Sequence, residues 1–125
     1  MVAWGFWITC GEVASNSIDP VTAAAISYVA AAVITTTYAL FSDASLAVTN
    51  RGLLFATVSG VAAAVGVVST FIGVSTGSTA VVSTIGGMYL VTATVIGVVA
   101  LGDSLSITQV AGIGLVIVAL VLINL

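Results

Sequence analysis

The stretch Asp19-Pro20-Val21-Thr22-Ala23-Ala24-Ala25-Ile26-Ser27-Tyr28-Val29-Ala30-Ala31-Ala32-Val33-Ile34, which runs on without a charge to Phe41, decides the fold. Its polar residues do not alternate with apolar ones, so it is not the strand of a membrane barrel, which alternates over segments of about ten residues. It matches the roughly 20 residues that a helix needs to cross a hydrocarbon core of about 30 Å. In lipid every backbone N–H and C=O must pair within the protein, and an isolated uncharged run can do so only as a helix. Asp19 followed by Pro20 is a start signal: the carboxylate caps, and proline occupies the first helical position, where its missing N–H costs nothing. Tyr38 and Phe41 close the run as interfacial aromatics.

The same pattern extends in both directions. The chain is 61% hydrophobic and 4% charged, with mean hydropathy +1.38. Soluble domains carry about 25% charged residues, so a water-exposed surface cannot be built from this composition. Charges and turn signals cut the chain into five predicted spans, at about 2–15, 20–41, 52–72, 79–101 and 106–123. The expected class is all-α: a polytopic, multi-pass protein of the cell membrane, with residues 1–125 as one transmembrane domain. Between the spans lie 16–19, the polar loop 42–51 with Asp43, Asn50 and Arg51, the Gly/Ser/Thr turn 73–78, and the break at Gly102-Asp103-Ser104. Ser106 with Gln109 reads as a capping box opening the last helix. The first span, with Trp4 and Trp7 expected at the interface, is short, so the natural start is expected to lie further upstream.

Composition also excludes functions. The chain has no His and one basic residue, Arg51. A Ser-His-Asp triad, a Cys-His pair, a lysine Schiff base and a histidine metal site therefore cannot form within one chain. Cys10 is alone, so it makes neither an intrachain disulfide nor a metal site, and it reads as a small packing residue. No basic patch exists for nucleic acid. No catalytic residue, metal or cofactor is expected. The partners expected are the lipid bilayer and a small-molecule substrate.

Glu12 is the one acidic residue inside a span. An intramembrane carboxylate is expensive unless paired, hydrated or protonated. One reading makes it a cation site or a group that exchanges a proton during transport. The other places it near headgroups, about one turn from the 16–19 connector. A direct pair with Arg51 is not expected, because the two lie at opposite ends of their helices. Tyr28 and Tyr89 carry hydroxyls that need either a polar cavity or a neighbouring helix. Gly86 and Gly87 interrupt the fourth span, either for close packing or as a flexible point beside a substrate path. Asp19, Asp43 and Asp103 flank helix ends and read as caps. Thr92 and Ser83 are expected to bond carbonyls of their own helix. Small residues spaced by four, such as Ala56, Gly60 and Ala64, Ala62 and Gly66, and Ala93 and Gly97, offer surfaces for close helix contact.

Two stretches carry a resemblance. The first is Trp4-Gly5-Phe6-Trp7, continuing to Glu12-Val13-Ala14, Ile18-Asp19-Pro20 and the Ala-rich helix. The second is Gly77-Ser78-Thr79-Ala80-Val81-Val82-Ser83 through Met88-Tyr89, then Leu101-Gly102-Asp103-Ser104-Leu105-Ser106 and Gln109-Val110-Ala111-Gly112. Together they resemble one EamA repeat of the drug/metabolite transporter superfamily, over nearly the full chain. This chain has Asp103 where the family turn usually has Glu, and Glu12 where Lys is common. The resemblance implies a five-helix repeat, half of a ten-helix inverted-repeat transporter, with a substrate site near the midplane between repeats. It implies a second copy or a related half-transporter as partner, in an antiparallel dimer working by alternating access. The cargo expected is metabolites, amino acids or organic cations. Glu12, Tyr28, Tyr89, Gly86 and Gly87 are the candidates for the substrate or proton pathway.

The competing reading is a non-transporting membrane scaffold or assembly subunit. Arg51 places its loop in the cytoplasm, together with the N-terminus and the Asp103 loop. With so little charge asymmetry, insertion in both orientations is an open alternative.

Overall fold

Helix signals become helices wherever local chemistry can satisfy their ends. In the computed structural model, which describes residues 2–43, 45 and 47–123, the Asp19 carboxylate accepts from the Val21 N–H at 3.0 Å and the Thr22 N–H at 3.1 Å. The helix α2 starts at Pro20 and runs over Pro20–Phe41, preceded by α1 over Val2–Ser15. The next helix, α3, covers Asn50–Thr76. Beyond it come α4 (Thr79–Gly86), α5 (Tyr89–Ile96), a π turn (Gly97–Leu101) and α6 (Ile107–Ile123). The described residues are helices and short connectors, as an all-α reading requires. Among the described residues three runs are long and apolar enough to cross a bilayer: Pro20–Phe41, Asn50–Thr76 and Thr79–Leu101. The helices Val2–Ser15 and Ile107–Ile123 are shorter.

The third helix is longer than the predicted 52–72 at both ends. At its start the Thr49 hydroxyl accepts from the Gly52 N–H at 3.1 Å, and the Thr49 carbonyl accepts from the Leu53 N–H at 2.9 Å. Asn50 and Arg51 are thereby drawn out of the loop into the first turn. Arg51 then reaches Phe55, one turn on, with its guanidinium 5.9 Å from the ring centroid. At the far end the Ser75 hydroxyl donates to the Ile72 carbonyl at 2.8 Å, and Thr76 donates to Ile72 and Gly73 at 3.1 and 3.2 Å. The hydroxyls expected to make a turn at 73–78 instead satisfy the last carbonyls, so the helix stops only at Gly77.

The capping box is present. The Ser106 N–H donates to Gln109 Oε1 at 2.8 Å, and the Gln109 N–H donates to Ser106 Oγ at 3.3 Å. As a result Ser106 itself caps, and α6 begins at Ile107.

The chain divides into two compact units, Met1–Thr76 and Gly77–Leu125. In the first, the short 16–19 connector makes α1 and α2 antiparallel neighbours. Its core is Ala23, Ala24, Val67 and Phe71, with Trp7, Ala14, Tyr28 and Val68 packed against it. Gly11 lets α1 approach α3: a Cβ there would stand 3.0 Å from Phe71 Cζ and 3.1 Å from Cε2. Trp7 is not the interfacial residue expected. Its ring lies 5.5 Å from that of Phe71, and its indole N–H donates to Ser27 Oγ at 3.1 Å. An indole N–H within a bundle needs an acceptor, and Ser27 supplies one on α2. Trp4 packs edge-on against Trp7 and stays exposed.

The small-residue steps on α3 are not the packed ones, since nothing lies within 4 Å of a Cβ placed at Gly60 or Gly66. The close approach is made instead by Gly11, Ala23 and Ala24. Cys10, expected to pack, is exposed.

In the second unit α4 packs on α6. Here the Gly86-Gly87 interruption is a tightening rather than an unwinding. Met88, Leu90 and Val91 N–H groups donate three residues back, to Ile85, Gly87 and Met88, at 3.0–3.1 Å. The 79–101 run is one rod with a short 3₁₀-type step in its middle.

The Gly11–Phe71 contact makes a sharp prediction. Gly11→Val is expected to lower the thermal unfolding midpoint in detergent, at an overpacking cost of about 1–3 kcal/mol. Gly5→Val, on the same helix with nothing within 4 Å of its Cβ position, is expected to leave the midpoint nearly unchanged.

Candidate functional site

Many side-chain hydroxyls in these helices are spent locally. Thr9, Thr35, Thr57, Ser69, Thr70, Thr84 and Thr94 each donate to the carbonyl four residues back, at 2.7–3.0 Å. Thr92 does the same to Met88 at 3.3 Å. Polar groups that escape this rule are the ones left to meet a ligand, a neighbouring helix or water.

In the first unit two such groups share one face of α1. Glu12 is half-buried, and among the described residues no hydrogen bond or ion pair reaches its carboxylate. Ser15, three residues on, is buried at 8% exposure, and its Oγ has no partner among the described residues. Residues three and four apart on a helix are neighbours. Ser15 also continues the line from Gly11, the point where α1 meets Phe71. A buried hydroxyl without a partner costs about 1–3 kcal/mol. The α1 face therefore presents a carboxyl and an unsatisfied hydroxyl side by side, an arrangement suited to holding a cation or passing a proton.

Arg51 does not neutralise Glu12. It sits in the first turn of α3, whereas α1 meets that helix at Phe71, about 30 Å along its axis at 1.5 Å per residue.

Tyr28 is half-buried on α2, and its hydroxyl donates to the Ala63 carbonyl of α3 at 3.3 Å. It ties the two helices together, beside the core that Trp7 also touches. Glu12 and Tyr28 are thus in one bundle, with no hydrogen bond between them.

Gly86, Gly87 and Tyr89 belong to the second unit and lie within one turn of each other. The two glycines differ in surroundings. A Cβ at Gly86 would meet nothing within 4 Å, whereas one at Gly87 would stand 3.1 Å from the Thr84 carbonyl oxygen and 3.8 Å from Leu120 Cδ2. Tyr89 opens α5 and is 57% exposed.

Next to this segment, α5 and α6 enclose a groove of about 390 Å³, with Leu90, Val91 and Thr94 facing Gln109, Gly112 and Ile113. None of the predicted residues lines it. Its polar atoms are already engaged: Thr94 Oγ1 on the Leu90 carbonyl at 2.8 Å, and Gln109 Oε1 in the capping box. It carries no charge and suits an apolar chain rather than a charged cargo.

Sequence reading missed Ser15, Ser27 and the inward role of Trp7. A signal for Ser15 existed in the Gly11-x-x-x-Ser15 spacing, which matches the small-residue steps noted elsewhere. Of the aspartates expected to cap, Asp19 does so through its side chain. Asp103 instead lies beyond Gly102, with its carboxylate folded over Gly97.

The profile of the EamA-like transporter family matches the chain over residues 1–125. No curated protein and no solved structure matches it.

The two serines near α1 separate by stability. Ser27→Ala strips the Trp7 indole N–H of its acceptor and is expected to cost about 1–2 kcal/mol. Ser15→Ala removes an unsatisfied hydroxyl and is expected to leave the unfolding midpoint unchanged or raised. Both are read from thermal unfolding in detergent.

Proposed function

The chain belongs to the EamA-like transporter family, and we propose that it is one half of a secondary transporter that moves small metabolites, amino acids or organic cations across the membrane. Membership makes it a multi-pass membrane protein of the drug/metabolite transporter type, a family not enzymatic in general. The finer reading takes all five apolar segments as spans, with Val2–Ser15 and Ile107–Ile123 as the short ones. The five spans form one repeat, a single domain over residues 1–125. A second copy or a related half, inserted upside down in the cell membrane, completes a ten-helix unit with its substrate site near the midplane. Near-absence of charge in the connectors supports this, because orientation is set by Lys and Arg near span ends, and Arg51 is the only one.

The observation that carries the coupling role is the unpaired Glu12 carboxyl beside the unsatisfied Ser15 hydroxyl. A lone intramembrane carboxyl is a functional group by default. In this reading Glu12 takes either the proton or the cationic cargo, and Ser15 supplies a neighbouring oxygen. Tyr28 in the first unit, and Tyr89 with the Gly86-Gly87 segment in the second, are the further candidates for the substrate or proton pathway. Rocking of one repeat against the other exposes the site alternately to each side.

Two experiments test this. In proteoliposomes under an imposed pH gradient, with tetraphenylphosphonium as the organic-cation probe and a panel of labelled amino acids alongside, Glu12→Gln is expected to reduce proton-coupled uptake at least tenfold. Unchanged coupling removes Glu12 from the mechanism. Tags on both termini, read by protease protection in intact cells, are expected to report each terminus on both sides of the membrane. A single fixed orientation rules out the antiparallel homodimer and requires an oppositely oriented partner or a different oligomer.

A further inference from the structure

The 79–101 run ends in a closure one residue wider than an α-helix makes. Gly97–Leu101 form a π turn in which the Gly102 N–H donates to the Gly97 carbonyl. The Asp103 N–H donates to the same oxygen at 3.0 Å. Gly102 takes the left-handed conformation at φ 77°, as a residue after a helix C-terminus commonly does. In the usual Schellman ending, however, the N–H following that glycine returns to the carbonyl that here would be Val98. The bond reaches Gly97 instead, one residue further back.

The Asp103 side chain completes the closure. Gly97 is buried, and the place where its Cβ would stand is taken by the Asp103 carboxylate, with Oδ2 2.7 Å and Cγ 3.6 Å away. Any side chain at position 97 and this carboxylate exclude one another.

Two forces oppose each other here. The carboxylate lies at a helix C-terminus, where the unpaired carbonyls carry partial negative charge. No Lys, Arg or His stands anywhere in 77–125 to offset it. The pair of N–H groups on the Gly97 oxygen holds the backbone of Gly102 and Asp103 in place, and the empty flank of Gly97 gives the carboxylate its room. Turns of this width occur at helix C-termini; the carboxylate seated on Gly97 is what sets this one apart.

We propose that Gly97, Gly102 and Asp103 form a latched register switch at the end of the 79–101 run. In the latched state Asp103 seats on Gly97 and the last turn is π. On release the turn tightens by one residue to an α closure, the Gly102 N–H passes to the Val98 carbonyl, and Asp103 leaves Gly97. One residue of α-helical rotation is about 100°. The 102–106 connector carries that change of direction to the Ser106–Gln109 capping box and the start of α6. The switch requires no particular cargo and stands apart from the proposed role of Glu12.

The test uses the full chain in lipid nanodiscs and reads amide hydrogen exchange at Gly102 and Asp103. The obstacle at Gly97 is the end of a flexible side chain, so Gly97→Ala displaces the carboxylate with little loss of fold. Asp103→Ala vacates the same seat. Each is expected to speed exchange at the residue-103 amide about tenfold, while the Gly102 amide, which passes to the Val98 carbonyl, stays protected and the unfolding midpoint is nearly unchanged. The double variant is expected to match either single one, because both break one contact. Additive effects, no effect of either single variant, or faster exchange seen only with a lowered midpoint overturns the switch.

Discussion

Everything in the first unit depends on how closely α1 can approach α3. Lipid tails are as apolar as Leu or Val, so bringing apolar helix faces together removes no water and provides little driving force. Contact has to be made by shape and by hydrogen bonds. Gly11 supplies the shape, since its missing side chain is the space that the Phe71 ring fills. Trp7 supplies the rest, packing at a tilt against the same ring and donating to Ser27 on α2. Three helices are tied by one glycine, one phenylalanine and one tryptophan. Tyr28, donating to Ala63, is a second tie of the same kind.

That economy explains the distribution of polar groups. Many Ser and Thr hydroxyls fold back onto carbonyls of their own helix, which makes them nearly apolar toward lipid. Ser15 does not, and neither does the Glu12 carboxyl beside it. Both lie on the helix face that starts the Gly11 contact. The contact that builds the bundle therefore also positions the polar groups proposed to carry coupling. In the second unit the same logic works through backbone geometry. The Gly86-Gly87 step tightens the helix, and the Gly97–Leu101 turn loosens it. Two departures of opposite sense thus sit in one apolar rod, and glycine takes part in each.

Much of this could be read before any coordinates. The Asp19-Pro20 start, the Ser106–Gln109 box and the three long apolar runs are local devices, whose geometry involves residues at most four apart. The family follows from similar short signatures, the Gly102-Asp103 turn among them. The misreadings share one cause. Trp7 looked interfacial because tryptophan near a chain end usually is, and nothing nearby in sequence reveals that Ser27 faces its indole. The turn expected at 73–78 dissolved because Ser75 and Thr76 can either break a helix or cap its carbonyls, and composition does not choose. Ala56–Gly60 and Ala62–Gly66 have the same spacing as Gly11–Ser15, yet only the last pair is buried.

The sequence by itself determined that this is an all-helical membrane protein of the EamA-like transporter family. The helices follow because hydrocarbon tolerates only a backbone that satisfies itself, the membrane because a chain with 4% charged residues can make no water-facing surface, and the family from the short signatures around Trp4, Glu12 and Gly102-Asp103. Only the tertiary structure decided which small residues pack, which polar groups are left unsatisfied, and that Asp103 closes over Gly97 rather than capping a helix. Those outcomes depend on which residues of different helices, or of different turns, come within 3 to 4 Å. A periodic apolar sequence offers many equivalent faces for such contacts, and only packing selects among them.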